Sequence, residues 1–125
     1  MTLPFDPVSF VQRQLDAYNA RDLARFVREF RHDVVVFRLP DGKPSIVGRE
    51  ALAAHYRDNR FNLPDLHAEL VNRMAFGNKV IDHERVSGIR DTPLEALAIY
   101  EVSAGLIDRV WFFYPNEPFP TGGSS

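Results

Sequence analysis

Residues 94–114, LEALAIYEVSAGLIDRVWFFY, contain two strand-like runs separated by the turn residues Ser103-Ala104-Gly105. A three-residue loop with glycine in the left-handed position is a common connection in β-hairpins. The sequence therefore predicts a hairpin of Leu94–Val102 with Leu106–Tyr114, in which Tyr100 faces Asp108. In this register one face of the hairpin carries Ala96, Ala98, Tyr100, Asp108, Val110 and Phe112.

The second face of this hairpin is also rich in apolar side chains. It carries Leu97, Ile99, Glu101, Ile107, Arg109, Trp111 and Phe113. An antiparallel sheet with one face in water alternates apolar and polar residues, so this face needs a cover. Because large exposed apolar patches mark interfaces, we expect a homodimer. The predicted contact residues are Leu97, Ile99, Trp111 and Phe113. The alternative is that the C-terminal tail folds over Trp111 and Phe113.

A second hairpin is predicted before the first one. Leu66–Phe76 alternates in polarity, Gly77-Asn78 is a favoured two-residue loop, and Lys79–Ser87 returns. This loop places Arg73 opposite Asp82, which we expect to form a structural ion pair on the outer face.

The N-terminal half of the chain has mainly helical periodicity. Asp6 with Pro7 is typical of a helix start, and Asp22 can cap a second helix. The run Val34-Val35-Val36-Phe37 predicts a strand over Asp33–Arg38, and a third helix is predicted from Glu50 to about Asp58. Three helices, one early strand and a later antiparallel meander predict an α+β fold with helices packed on one face of a sheet.

Length and composition narrow the function classes. The chain has 125 residues, a net charge of −2 and no cysteine, which predicts a single domain and argues against nucleic-acid partners, disulfides and thiol chemistry. No apolar stretch is long enough to cross a membrane, and MTLPFDP does not resemble a signal peptide, so we expect a cytoplasmic protein. We expect an ordered core over about 6–114 and a mobile tail over 115–125.

Four stretches together resemble the nuclear-transport-factor-2-like superfamily, in its SnoaL-like, ketosteroid-isomerase-like branch. They are AYNARDLARFVREFRHDVVVF (17–37), GREAL (48–52), NRMAFGNKVIDHERVSG (72–88) and IYEVSAGLIDRVWF (99–112). The resemblance implies a cone of curved, mostly antiparallel sheet, packed against the three helices around an apolar pocket. Such domains are commonly dimeric through the sheet. They include isomerases, hydrolases, cyclases and plain binding proteins, so the fold alone names no activity.

The resemblance also places known catalytic positions on this chain. The three positions of the ketosteroid-isomerase mechanism hold Arg38, Gln14 and Ala98, none of which supplies the expected aspartate or tyrosine. Arg85 matches the arginine of limonene-epoxide hydrolases, but Ser87 and Phe112 stand at their two aspartates. For the polyketide-cyclase branch, Asp108 is the nearest candidate acid. We therefore expect neither of the first two mechanisms.

The segment Asp82-His83-Glu84-Arg85 supplies the candidate catalytic residues. Alternate side chains of a strand point to opposite faces, and the resemblance puts His83 and Arg85 inward. His83 would move a proton near neutral pH, or it would only line the cavity. Arg85, with Arg38, would stabilise negative charge on a ligand, or an arginine would bridge to Asp108.

The expected ligand site combines small residues with polar tips. Its predicted lining is Tyr18, Arg38, Tyr56, Asn72, Ala98, Tyr100, Asp108 and Phe112. His32, His55, His67 and His83 lie on different elements, so neither a metal nor a cofactor is predicted. We expect a domain that binds a small hydrophobic molecule with a polar or anionic handle. The alternatives are a cofactor-independent isomerase, hydrolase or cyclase that uses His83 and Arg85, and a dimeric scaffold with a filled cavity.

Overall fold

The computed structural model of the chain describes residues 6–115 and has the predicted α+β architecture. Three helices and six strands follow one another along these residues. They are α1 (Pro7–Asn19), α2 (Leu23–Val27), β1 (Phe30–Arg38), β2 (Lys43–Val47), α3 (Arg49–Asn59), β3 (His67–Phe76), β4 (Lys79–Ser87), β5 (Leu94–Ser103) and β6 (Leu106–Phe113). The predicted mobile tail, 115–125, lies outside the described residues except for its first position.

The six strands form one curved, unclosed sheet in the order β2-β1-β6-β5-β4-β3. Only β1 and β6 pair in parallel; the other neighbours are antiparallel. The helices lie against the concave face, and their buried apolar side chains meet those of the strands. This layering places a cavity between the helices and the inner face of the sheet.

The two predicted helix caps are present. The Asp6 carboxylate accepts a hydrogen bond from the Val8 backbone N–H at 3.1 Å, and the Asp22 carboxylate accepts one from that of Arg25 at 3.2 Å. These bonds satisfy backbone donors that a helix start leaves unpaired. The second helix is short: it ends at Val27, and β1 begins at Phe30.

Strand β2 was not expected from the sequence, which has the features of a loop around Pro40, Gly42 and Pro44. It pairs with β1 at the edge of the sheet, with Pro44 opposite Phe37 beside a register shift. An edge strand tolerates proline because one side of its backbone needs no partner. Of the five residues of β2, Ile46 is the one that is buried. A strand with a single buried residue shows little of the apolar alternation that predicts strands from sequence.

The pairing of β5 with β6 differs from the predicted register. Ser103 pairs with Leu106 across the two-residue loop Ala104-Gly105, and a register shift follows between Glu101 and Val102. Tyr100 therefore lies opposite Val110, not opposite Asp108. The reason is that both loop residues adopt positive φ, 54° at Ala104 and 79° at Gly105, as a tight two-residue hairpin turn requires.

The same shift changes the two faces of the hairpin. Ile107 was expected on the outer face, but it is fully buried beside Val102. A bulge places two residues of one strand opposite one residue of the other, and the face presented by the strand then changes. Beyond the bulge the prediction is confirmed: Val110 and Phe112 are buried on the inner face with Tyr100.

The β3–β4 hairpin has the predicted pairs around its loop. Asn72 lies opposite His83, and Arg73 opposite Asp82. The expected Arg73–Asp82 ion pair is confirmed, but its predicted position on the outer face is wrong. Asp82 is 0% exposed and shares its face with buried Val80. The inner surface of β4 is therefore the one that carries the two acids of the segment, not its histidine and arginine.

Candidate functional site

A cavity lies between the helices and the inner face of the sheet. It is lined by Gln14, Leu15, Tyr18, Phe26, Tyr56, Arg60, Ala68, Glu84, Val86, Ile89, Leu94, Ala96, Tyr100, Phe112 and Tyr114. Its atom-free volume is about 470 Å³ including the mouth, but the centre of a water-sized sphere fits in only about 40 Å³. That space suits about three waters at ~10–15 Å³ each, or one small molecule.

Strand periodicity positions the wall that the sheet contributes. Side chains two residues apart on β4 point the same way, so Glu84 and Val86 enter the cavity together. Ala96 on β5 lies directly opposite Glu84, and Ala68 belongs to the same face of β3. Two alanines beside a glutamate leave room in front of its carboxyl group, which larger residues would fill.

The Glu84 carboxyl group is the buried acid of this cavity. The residue is 6% exposed, and its Oε2 has no hydrogen-bond partner. Burial, reinforced by the nearby negative charge of Asp82 and opposed by Arg73, raises the pKa of Glu84 to about 8. Glu84 is therefore mainly a neutral carboxylic acid at pH 7, and it can donate a hydrogen bond as well as accept one.

Asp82, two residues earlier, has a different environment although it is more deeply buried. Arg73 donates from Nε to Asp82 Oδ1 at 2.7 Å and from a terminal nitrogen to Oδ2 at 2.9 Å. The remaining terminal nitrogen of Arg73 donates to Gln12 Oε1 at 2.7 Å. A bidentate pair of this kind compensates a buried carboxylate for lost hydration. Asp82 therefore has a structural role as the partner of Arg73, whereas Glu84 forms no such ion pair.

Tyrosine hydroxyl groups supply further polar tips in the lining. Burial raises the pKa of Tyr18, Tyr56 and Tyr100 above the ordinary tyrosine value, so these phenols stay neutral. Gln14 donates from Nε2 to the Tyr100 hydroxyl oxygen at 3.3 Å, and this leaves the Tyr100 O–H able to donate to another group. The cavity therefore offers neutral donors at several points of an apolar wall.

Arg60 is the cationic side chain in the lining. It is 8% exposed and donates from Nη1 to the Asn59 carbonyl oxygen at 2.8 Å. Its positive charge partly offsets the rise in the pKa that burial causes at the Tyr18 phenol. Among residues 6–115 there is no salt bridge between Glu84 and Arg60.

Comparison with known protein families gives the identity of the domain. The model of the SnoaL-like domain matches residues 11–110, which is most of the chain. The chain belongs to the SnoaL-like domain family. This confirms the resemblance drawn from the sequence. No curated protein matches the chain.

Solved structures similar to this SnoaL-like domain agree on the fold. An uncharacterized cystatin-fold protein from Novosphingobium aromaticivorans has a TM-score of 0.75 at 21% identity, over 86% of this chain and 97% of that chain. A SnoaL-like protein of unknown function from Burkholderia thailandensis gives 0.73 at 20%, over 88% and 94%. A candidate ketosteroid isomerase from Kribbella flavida gives 0.73 at 22%, over 91% and 81%. At these identities the likeness shows the fold alone.

The predicted inward orientation of His83 and Arg85 is wrong for this SnoaL-like domain. Both lie on the outer face, where their side chains are 41% and 42% exposed and meet Glu95. The distances are 2.7 Å from His83 Nε2 to Glu95 Oε1 and 2.6 Å from Arg85 Nε to Oε2. The physical reason is the phase of β4, in which Val80 and Val86 share the buried face with the acids.

Four of the eight predicted lining residues do line the cavity: Tyr18, Tyr56, Tyr100 and Phe112. The other four lie elsewhere. Asn72 is exposed and faces outward opposite His83. Ala98 is fully buried outside the lining, and Arg38 is buried with its guanidinium 4.3 Å from the ring centre of Tyr114.

Asp108 is the fourth of these residues, and it lies at the β6 bulge. It borders a separate surface depression with Arg31, Asp33 and Arg109. Burial, then a hydrogen bond to Glu101, raises the pKa of Asp108 to about 6. The predicted bridges from Asp108 to Arg38 or Arg85 are absent from the salt bridges of residues 6–115.

The predicted lining did not include Glu84, Arg60 or Gln14, although the resemblance set Gln14 at a catalytic position of ketosteroid isomerases. A signal for Glu84 was present, because it shares its parity along β4 with Val80 and Val86. Gln14 lies on α1 and Arg60 directly follows α3, and only packing shows that these polar residues are buried. Within residues 6–115, no group of three or more histidine, aspartate or glutamate side chains is arranged to hold a metal ion.

The outer face of the sheet carries an apolar surface. We call it the outer apolar face: Val35, Phe37, Ile81, Leu97, Ile99, Trp111 and Phe113. The rings of Phe37 and Trp111 stack with centres 5.4 Å apart, and Phe113 is 36% exposed.

No helix of residues 6–115 is both long and apolar enough for a membrane span.

Proposed function

We propose that this SnoaL-like domain binds a small, mainly apolar molecule with a polar handle in its cavity. The observation that carries this proposal is the cavity itself, in which apolar walls converge on a few polar groups. Ligand sites have this composition, because the walls supply burial while a few polar atoms fix orientation. The free volume argues against a scaffold whose cavity is filled by its own side chains.

The dimensions of the cavity limit the size of its occupant. The narrow free volume suits a single small ring better than a fused polycyclic molecule. Glu84, Tyr100 and Arg60 offer the contacts for a polar handle. Ala96 and Ala68 belong to the cavity lining, so larger side chains at these positions would reduce its free volume.

An enzymatic function is the second candidate. His83 and Arg85 do not support it, because both are engaged with Glu95 on the outer face. The observation in its favour is a carboxyl group in an apolar cavity, since a pKa near the working pH suits proton transfer. A cofactor-independent isomerase, hydrolase or cyclase would use Glu84 for that step.

We also propose that two copies pair through the outer apolar face. Burial of Trp111, Leu97 and Ile99 against a second copy would remove apolar surface from water. The support for this proposal is the composition of the face. Its central strands carry aromatic and aliphatic side chains, whereas the flanking positions His83, Arg85 and Arg109 are charged or polar.

Ligand entry can be tested with small-ring probes on ¹⁵N-labelled protein. Cyclopentanone, cyclopentylamine and cyclopentanecarboxylate share one ring and differ in the handle. At millimolar concentration we expect at least one of them to shift amide resonances of the cavity lining. Ala96→Leu fills the space and abolishes these shifts. Ala75→Leu, at an exposed alanine of β3, is the matched control and retains them.

The opposite results would contradict cavity binding. If the three probes shift only surface amides, or shift the same amides equally in Ala96→Leu, the proposal is wrong. Conversion of a probe, followed in the same sample by one-dimensional spectra, would favour the enzymatic candidate.

A further inference from the structure

We propose that Glu84 donates a hydrogen bond from its carboxylic acid form to the cavity ligand, and that this ligand is an uncharged molecule with a carbonyl-type oxygen. The inference rests on the proposed cavity binding and adds the chemical class of the handle. The geometry that carries it is the Glu84 carboxyl group: the residue belongs to the cavity lining, and its buried Oε2 has no hydrogen-bond partner. An unsatisfied buried polar atom costs stability, so a ligand that completes its hydrogen bonding gains that free energy.

The groups around Glu84 keep it neutral. On its own strand Asp82 is negative, which opposes a second negative charge nearby. From β3, the Arg73 guanidinium favours ionisation, but its Nε and both of its terminal nitrogens already donate to Asp82 and Gln12. Among residues 6–115, no salt bridge joins the Glu84 carboxyl group to a cation.

The remaining elements around Glu84 supply phenols. Three tyrosines lie near enough to Glu84 that a negative charge on its carboxyl group raises their pKa values: Tyr100 on β5, Tyr18 on α1 and Tyr56 on α3. Each is neutral at ordinary pH and places no positive charge beside the acid. Arg60, after α3, donates to the Asn59 carbonyl oxygen. The cation whose charge acts on Glu84 is therefore Arg73, and its guanidinium is engaged with Asp82.

Charge selection follows from this arrangement. A ligand carboxylate near Glu84 would add a negative charge to an apolar region that already holds Asp82. A ligand ammonium ion would require Glu84 to ionise. A ketone, aldehyde, amide or ester oxygen accepts the acid proton in a hydrogen bond without moving any charge into the cavity.

The affinity of cyclopentanone as a function of pH tests the inference. If only the acid form binds, the apparent Kd is constant at pH 6–7 and about tenfold higher at pH 9, since the competent fraction falls as Glu84 ionises. Glu84→Gln keeps a donor that does not titrate, so it binds cyclopentanone at pH 6 and retains this affinity at pH 9. Glu84→Met keeps the size but loses the donor, and we expect at least fivefold weaker binding at pH 6.

Two further measurements make the outcome unambiguous. The ¹³Cδ resonance of Glu84, assigned by its loss in Glu84→Gln, should titrate with a midpoint near pH 8. Cyclopentanone should move this midpoint to higher pH, because it binds the acid form. Cyclopentylammonium should bind more weakly than the ketone at pH 6. A pH-independent ketone affinity, or a preference for the ammonium ion, would overturn the inference and leave cavity binding intact. Failure of every probe to enter the cavity would contradict both proposals.

Discussion

Glu84 and Asp82 show how neighbouring carboxyl groups acquire different roles from their surroundings. Both are buried on the same face of β4. Asp82 receives two hydrogen bonds from Arg73, whereas Glu84 Oε2 receives none. A charge that leaves water must be paired or neutralised, and these two residues illustrate the two solutions. The cavity lining therefore contains an acid without a cationic partner, two residues away from an acid that is paired with Arg73.

This difference predicts a pH dependence of stability. Glu84 has a pKa of about 8 in the folded protein against an ordinary value of 4.5, so between these pH values the folded state keeps a proton that the unfolded state has released. Its contribution to stability is complete below pH 4.5 and is lost as the pH rises towards 8. Glu84→Gln removes this titration, so its stability relative to the parent should rise by a few kcal/mol from pH 5 to pH 9.

Urea unfolding at pH 5, 7 and 9 measures that difference. Glu69→Gln is the control because it makes the same chemical change at an exposed residue of the neighbouring strand. We expect the curve of stability against pH for Glu69→Gln to run parallel to that of the parent protein. If Glu84→Gln also runs parallel, Glu84 is not a neutral acid in the folded state.

Residue identity alone did not determine which side of β4 faces inward. Both sides mix aliphatic and ionisable residues: Val80 and Val86 alternate with two acids on one side, and Ile81 alternates with Lys79, His83 and Arg85 on the other. The pairing of β4 with β5 resolves the choice, because Asp82 lies opposite Ala98 and Glu84 opposite Ala96. That register depends on the connection 88–93, and its length and turn signals did not specify the pairing.

At the scale of elements, turn chemistry controlled the accuracy of the sequence predictions. The Gly77-Asn78 loop gave the correct β3–β4 pairs. The Ser103-Ala104-Gly105 turn fits both a three-residue loop and a two-residue loop followed by a bulge, and the second is present. Strand β2 had too few buried residues to show alternation. Local patterns thus predicted most elements, but the bulge and the edge strand depend on pairing across the sheet.

The β5–β6 turn carries a prediction of its own. Ala104 has a φ of 54° although it is not glycine, and asparagine tolerates this conformation better. Ala104→Asn should stabilise the protein by about 0.5–1 kcal/mol. Gly105→Ala should destabilise it by about 1 kcal/mol, because alanine is strained at a positive φ. A steric clash does not contribute, since an added Cβ has no atom within 4 Å.

Urea denaturation midpoints of the two variants test this turn. The opposite signs are the diagnostic feature, because a general effect on the loop would shift both midpoints in the same direction. A neutral Gly105→Ala variant would show that Gly105 does not need its positive φ.

At the scale of the whole molecule, the sequence predicted the fold class and family but not the inner lining. The amphipathic helices and the meander are encoded locally, and the family model confirms the assignment over residues 11–110. The cavity wall combines side chains from all three helices, from four strands and from connecting segments, including Glu84 and Arg60. The set of lining residues therefore depends on the register of every strand and on the position of every helix. If the inward face of a single strand is assigned wrongly, as for β4, the predicted site residues are the wrong ones.

The outer apolar face predicts the oligomeric state. Sedimentation velocity at micromolar concentration should give twice the mass of one chain. Phe113→Glu introduces a charge at a residue of this face that is 36% exposed in one copy, so burial in a dimer would be costly. We expect this variant to sediment as a monomer with unchanged circular dichroism. Ala51→Glu, at an exposed position of α3 on the helical side, adds the same charge and should stay dimeric. A monomeric parent protein, or a dimeric Phe113→Glu variant, would show that this face does not join two copies.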